Sequence, residues 1–148
     1  MSVVIADASC LILLTNLDKL IVLEKLYGEV WITDSVRAEY GLSLPSFISL
    51  HDPTDQLMLN SLLQSLDAGE ASSIALALEN PGCKIIIDEK KGRRVALSMG
   101  LDLTGTLGVL AEAAKINLLT IDAHVVEKLD SLGFRLSTEL KNEFLSGS

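Results

Sequence analysis

Lys84-Ile85-Ile86-Ile87-Asp88-Glu89-Lys90-Lys91-Gly92-Arg93-Arg94 is the stretch that decides the fold. Three consecutive isoleucines do not alternate with polar residues. Such a run suits a strand buried on both faces, as in a parallel sheet. An acid ends the run, and a helical pattern follows from about Gly92 to Met99. A strand that ends in an acid and feeds a helix is half of a βαβ unit.

The same grammar recurs on both sides. Val3–Ala6 reads as a strand, Asp7 follows it, and a helical pattern runs from Ala8 to Leu14. Val30–Ile32 reads as a second strand, with Thr33 or Asp34 capping a short helix through Glu39 that Gly41 closes. Further helical patterns cover Asp18–Leu26, Thr54–Leu66, Ala68–Leu78, Thr106–Lys115 and Ala123–Leu132. Ile48–Leu50 reads as a short edge strand, Leu101–Leu103 as another, and Phe134–Leu136 as a last strand before a terminal helix. Strands alternating with helices imply a parallel sheet covered on both faces. Ligands of such sheets bind outside the carboxyl ends of the strands.

Asp7 and Asp88 should both emerge at that rim. Each is also an ordinary helix N-cap residue. Glu39 lies three residues after Val36, on nearly the same helix face, where an acid turned toward the core is costly without a cation. A solvated glutamate near a helix end is the other reading. Asp67 and Glu70 have the spacing of a capping box. Gly69 beside Glu70 is poor inside a helix, and a close backbone approach to a ligand would explain it. Carboxylates without paired His or Cys make a hard, oxygen-rich site, suited to Mg²⁺ or Mn²⁺ and to phosphate chemistry.

The bulk numbers agree. The 148 residues imply one domain, 1–148, large enough to bury a core unaided. Mean hydropathy is +0.40, yet no apolar run nears the roughly 20 residues of a membrane span. The start, MSVVIADASCLILL, lacks a basic n-region and is broken by Asp7. It reads as a buried strand and implies a cytoplasmic protein rather than a secreted one. Cys10 and Cys83 form no CxxC, and His51 and His124 lie far from them. Neither a zinc site nor a disulfide framework is expected. A net charge of −8 argues against a DNA-coating or membrane-surface protein. It leaves room for nucleic acid if bound cations reverse the field locally. The densest basic run is Lys90, Lys91, Arg93 and Arg94, beside Asp88.

Together these segments resemble the PIN-domain family. Ile5-Ala6-Asp7-Ala8-Ser9 is similar to its first motif, Val36–Glu39 to its second acidic position, and Leu66–Leu76 (LDAGEASSIAL) to its third in a GEA form. Ile85–Ala96 (IIIDEKKGRRVA) is similar to the fourth, with a helix carrying Arg94. Leu103–Leu110 (LTGTLGVL) resembles the segment that follows in one branch. Glu70 stands where the commoner pattern has Asp.

The resemblance implies a three-layer α/β/α sandwich around a central, mostly parallel twisted sheet. It implies a Mg²⁺- or Mn²⁺-dependent nuclease acting on RNA, with Asp7, Glu39, Glu70 and Asp88 as catalytic and metal-holding acids. Ser9, Arg94 and Thr106 would support them or touch substrate. For Thr104 and Thr106, which flank Gly105, capping of the next helix is the favoured reading. The resemblance further implies the toxin of a toxin–antitoxin pair, a homodimer, a small antitoxin partner and no membrane. An inactive PIN-like binding or regulatory module is the alternative. A haloacid-dehalogenase-like phosphatase would want an acid where Ser9 stands. A receiver domain would want its acidic pair near the first strand, whereas Asp88-Glu89 comes late.

Overall fold

The computed structural model describes residues 3–134. Five short strands form one all-parallel sheet: β1 (Val4–Ala6), β2 (Val30–Ile32), β3 (Ile48–Leu50), β4 (Lys84–Ile86) and β5 (Asp102–Thr104). Their order is β3-β2-β1-β4-β5. Ile5 pairs with Trp31 on one side and Ile85 on the other.

Among the described residues, eight helices connect and flank the strands: α1 (Ala8–Asn16), α2 (Ile21–Tyr27), α3 (Asp34–Tyr40), α4 (Gln56–Leu63), α5 (Ala68–Leu78), α6 (Lys90–Ser98), α7 (Thr106–Lys115) and α8 (Ala123–Ser131). The period-two alternation of each strand divides the core. Val4, Ala6, Val30, Ile32 and Ile86 pack with α1, α2, α7 and α8. Ile5, Ile85 and Ile87 pack on the other face with residues of α4, α5 and α6. The layers are therefore α/β/α, with apolar side chains on both faces of the sheet, as the unbroken isoleucine run required.

Most elements fall where the sequence places them, and the differences have local causes. α4 begins at Gln56 rather than Thr54. The Glu79 carboxylate takes the backbone N–H groups of Thr54 and Asp55, holding them outside the helix, and Asp55 then caps it through Met58 N–H. α2 begins late because Asp18 turns the chain with φ 56°. α6 begins at Lys90, two residues before Gly92, with Glu89 as its N-cap. Gly92 thus lies inside the helix. The expected strand and helix beyond Phe134 lie outside the described residues. Among the described residues, no helix is long and apolar enough to cross a membrane.

The strand order reverses beside β1, because the chain runs from β1 through β2 to β3 on one side and then crosses back to β4 on the other. Such a switch point opens a crevice at the carboxyl ends of the two central strands. Asp7 and Asp88 stand at that crevice.

Candidate metal centre

Asp7 is both of the things the sequence allowed. Its Oδ1 accepts Cys10 N–H at 3.1 Å, so it caps α1. Its Oδ2 accepts Asp88 N–H at 3.2 Å across the switch point. The side chain is 5 % exposed. Burial first, then the charge of Asp88, push its carboxyl up to about 7, with Glu39 adding a smaller push.

Asp88 caps no helix, since Glu89 has that place. Its Oδ1 accepts Thr106 N–H at 2.8 Å and its Oδ2 the Thr106 hydroxyl. Capping by Thr104 or Thr106 is therefore overturned. Gly105 is the N-cap of α7 and makes no side-chain cap bond, and Thr106 instead fixes the Asp88 carboxylate. A side chain at Gly105 would make the Arg93 and Asp88 side chains shift. A Cβ would lie 2.8 Å from Arg93 Nη1 and 3.1 Å from Asp88 Oδ1.

Asp67 caps α5 through Glu70 N–H at 2.9 Å, which is one half of the capping box. Glu70 Oε2 does not complete the other half. It is buried and has no hydrogen-bond partner. Burial first, then hydrogen bonding with Asp67 and the charges of Asp67, Glu89 and Asp7, raise the Glu70 carboxyl to about 8. Protonated or cation-bound forms are thereby favoured over the bare anion.

Of the two placements the sequence leaves open for Glu39, the structure has the solvent-facing one. Val36 is fully buried, whereas Glu39 is exposed at the rim. Its carboxylate still leans inward, with Oε1 3.8 Å from where a Cβ on Gly69 would be. Partial burial and Asp67 raise its carboxyl above the usual range. Gly69 itself would meet only ordinary contacts if substituted, so packing within the chain does not require it.

Asp7, Glu39, Asp67, Glu70 and Glu89 line one small cavity of about 70 Å³, together with Ala8, Ser9 and Gly69. Asp88 adjoins it through its bond to Asp7. Ser9 is exposed at the mouth, and the backbone N–H groups of Cys10 and Asp88, not the Ser9 hydroxyl, donate to Asp7. Arg94 is exposed, whereas Arg93 is half-buried and donates from Nη1 to Ile87 O at 2.8 Å, beside Gly105.

The sequence does not single out Asp67, Glu89 or Gly92 as site residues, and it marks Arg93 only as part of the basic run beside Asp88. Asp67 was hidden by its capping role. Glu89 was legible as the neighbour of Asp88, and Arg93 lies one helical turn beyond Glu89, its backbone N–H on the Glu89 carbonyl.

A family model described as PIN domain matches residues 3–148. The chain belongs to the PIN-domain family. PIN domains are generally nucleases, act on nucleic acids and typically use divalent metals. No curated protein matches the chain.

Does the cavity suit such a cation? The donors are all carboxylate oxygens, the preference of Mg²⁺ and Mn²⁺. Glu70 Oε2 is an unpaired buried acceptor. No ion pair between a Lys or Arg and these acids occurs among the described residues. Equally, no three Asp, Glu, His or Cys side chains among the described residues already stand close enough to share an ion. By donor chemistry and by the orphaned oxygen, the residues of this PIN domain fit a hard divalent ion.

Proposed function

We propose that this PIN domain is a Mg²⁺- or Mn²⁺-dependent endoribonuclease, the toxin of a toxin–antitoxin pair. One observation carries the reading. At the switch point of the sheet, Asp7 lines one cavity with Glu70, whose buried Oε2 has no partner, and Asp88 adjoins it through Asp7; among the described residues no Lys or Arg is ion-paired to any of the three. Buried carboxylates without a cation cost stability, and a site kept in that condition is one held for a ligand.

When bound, a divalent cation supplies Lewis acidity at a phosphoryl oxygen and lowers the pKa of water. The chain's own residues do the rest. Asp7, Glu70 and Asp88, with Glu39 at the rim, would hold the ion. Thr106 fixes the Asp88 carboxylate through both oxygens and so presents its remaining lone pairs in one direction. Without the ion, Asp7 and Glu70 hold their protons up to about 7 and about 8, and a bound cation would displace them. Hydrolysis of this kind leaves a 5′-phosphate and a 3′-hydroxyl. Exposed Lys90, Lys91 and Arg94 at the start of α6 lie beside Asp88 and would contact backbone phosphates.

Cleavage of a mixed-sequence single-stranded RNA with Mn²⁺, with and without EDTA, tests this with wild type and Asp7→Asn in parallel. Metal-dependent cutting absent from the mutant is the expected result. A folded wild type that cuts no RNA with either metal would overturn it in favour of a non-catalytic binding module. The homodimer and the small antitoxin rest on family membership. Sedimentation of the pure protein tests the first. Rescue of growth by a gene neighbouring that of this chain tests the second.

A further inference from the structure

α6 carries a glycine at its third position, where glycine is among the poorest helix residues. Backbone conformation does not require it, for Gly92 is not among the glycines with positive φ. Space does. A Cβ on Gly92 would lie 2.5 Å from Glu70 Oε2, 3.4 Å from Glu70 Cδ and 2.7 Å from Ile87 Cδ1. Real atoms do not approach so closely, so the Glu70 carboxylate occupies the place of the missing side chain. That oxygen is the buried one without a hydrogen-bond partner, on a residue only 8 % exposed. Glu70 is one methylene longer than aspartate, and the extra length needs room at its far end. The glycine provides that room on the facing helix.

We infer that Gly92 is a positioning residue for Glu70: its bare Cα forms the notch that admits a glutamate carboxylate, where an aspartate would need none. The inference deepens the proposed metal site and rests on that reading for its functional consequence. It concerns how the third acid is seated. The wall of α6 sets which carboxylate length the cavity accepts, so positions 70 and 92 are matched to one another. Ile87 also crowds a Cβ at position 92. That contact is the same whichever acid stands at position 70, so a double substitution separates the two.

Four proteins test it: wild type, Gly92→Ala, Glu70→Asp and the double variant. The first readout is the thermal midpoint in EDTA, which needs neither metal nor activity. Gly92→Ala should lower the midpoint in the Glu70 background. In the Glu70→Asp background it should leave the midpoint unchanged or raise it, because alanine is the better helix residue. The second readout is Mn²⁺ affinity by calorimetry. Gly92→Ala should weaken binding about tenfold or more in the wild-type background, the loss typical when a residue supporting a metal ligand is disturbed. In the Glu70→Asp background it should leave affinity nearly unchanged. Equal lowering of the midpoint in both backgrounds would assign the clash to Ile87 and overturn the inference. So would the absence of any lowering. If wild type binds no Mn²⁺, the metal reading falls, and the thermal cycle still decides the pairing of Gly92 with Glu70.

Discussion

Replacing Asp7 by asparagine should stabilise the metal-free protein at alkaline pH. Burial and Asp88 raise the Asp7 carboxyl from 3.8 to about 7. At about 1.4 kcal/mol for each tenfold change in proton affinity, this corresponds to about 4 kcal/mol against the folded state at pH 8. Asparagine carries no charge and escapes that cost. It also has one carbonyl oxygen in place of two, while Cys10 N–H and Asp88 N–H each need an acceptor. Losing one of those bonds costs about 1–2 kcal/mol. The net gain is about 2–3 kcal/mol, or about 5–10 °C for a chain of this size. The sign follows from linkage. A carboxyl whose folded pKa is raised weakens the folded state progressively as pH climbs from the ordinary carboxylate range to about 7, and the loss is complete above it. The advantage of the mutant should therefore be greatest at pH 8 and should shrink by about 2–3 kcal/mol on going to pH 5. Differential scanning fluorimetry in EDTA at both pH values reads it. Addition of Mn²⁺ should raise the wild-type midpoint and leave that of the mutant nearly unmoved. A mutant less stable than wild type at pH 8, or an offset indifferent to pH, would refute the reasoning.

Thr106→Val keeps the volume and the backbone bond to Asp88 but removes the hydroxyl that holds Oδ2. Mn²⁺ affinity should drop about tenfold or more by calorimetry, the usual loss for a ligand's supporting residue. Arg93→Gln should impair RNA cleavage more than Arg94→Gln, because Arg93 holds the Ile87 carbonyl next to Asp88 while Arg94 is exposed. A steady-state comparison of the two variants decides between them. Metal binding should release protons between about pH 6 and pH 8, since Asp7 and Glu70 hold theirs up to about 7 and about 8. Calorimetry in buffers of different ionisation enthalpy would count them.

The sheet was legible because its signal is coarse. The sequence places Val30–Ile32 and Ile48–Leu50 to the residue, and the other three described strands to within one. Apolar runs without alternation admit few arrangements, and strand-terminal acids mark the rim whichever helix follows. What sequence left hidden depends on contacts between distant elements. Glu79 shortens α4 by binding Thr54 and Asp55 from more than 20 positions away. Thr106 reads locally as a helix start, and only the sheet brings it to Asp88. Glu39 follows Val36 by three positions, but the buried stripe of α3 continues at Tyr40, four positions on, and leaves Glu39 exposed beside it. Arg93 and Arg94 are adjacent and chemically alike, so their opposite fates depend on the register of α6, which begins two residues earlier than its glycine suggests.

The electrostatics of the cleft also resolve the apparent conflict between an acidic chain and an anionic substrate. A net charge of −8 repels nucleic acid at long range, but ionic screening limits that repulsion to about 10 Å or less. At contact range the cleft decides. Two of its acids lie more than nine-tenths buried, and none of the ion pairs among the described residues reaches them. If the cleft stayed cation-free, ordinary pressure toward stability would favour an asparagine, a glutamine or a nearby lysine. The basic residues that are at hand do otherwise. Lys90, Lys91 and Arg94 face solvent at the start of α6, and Arg93 gives Nη1 to a backbone carbonyl. On the proposed reading, the acids are left for a cation, and the nearby lysines and arginine for phosphates. A divalent ion would bind the first set and draw a phosphodiester toward the second, so that the cleft attracts RNA only once it is loaded. RNA affinity that rises with Mn²⁺ in wild type but not in Asp7→Asn, measured by anisotropy on a non-hydrolysable strand, is the expected consequence. Equal affinity with and without the ion would place the RNA elsewhere on the surface.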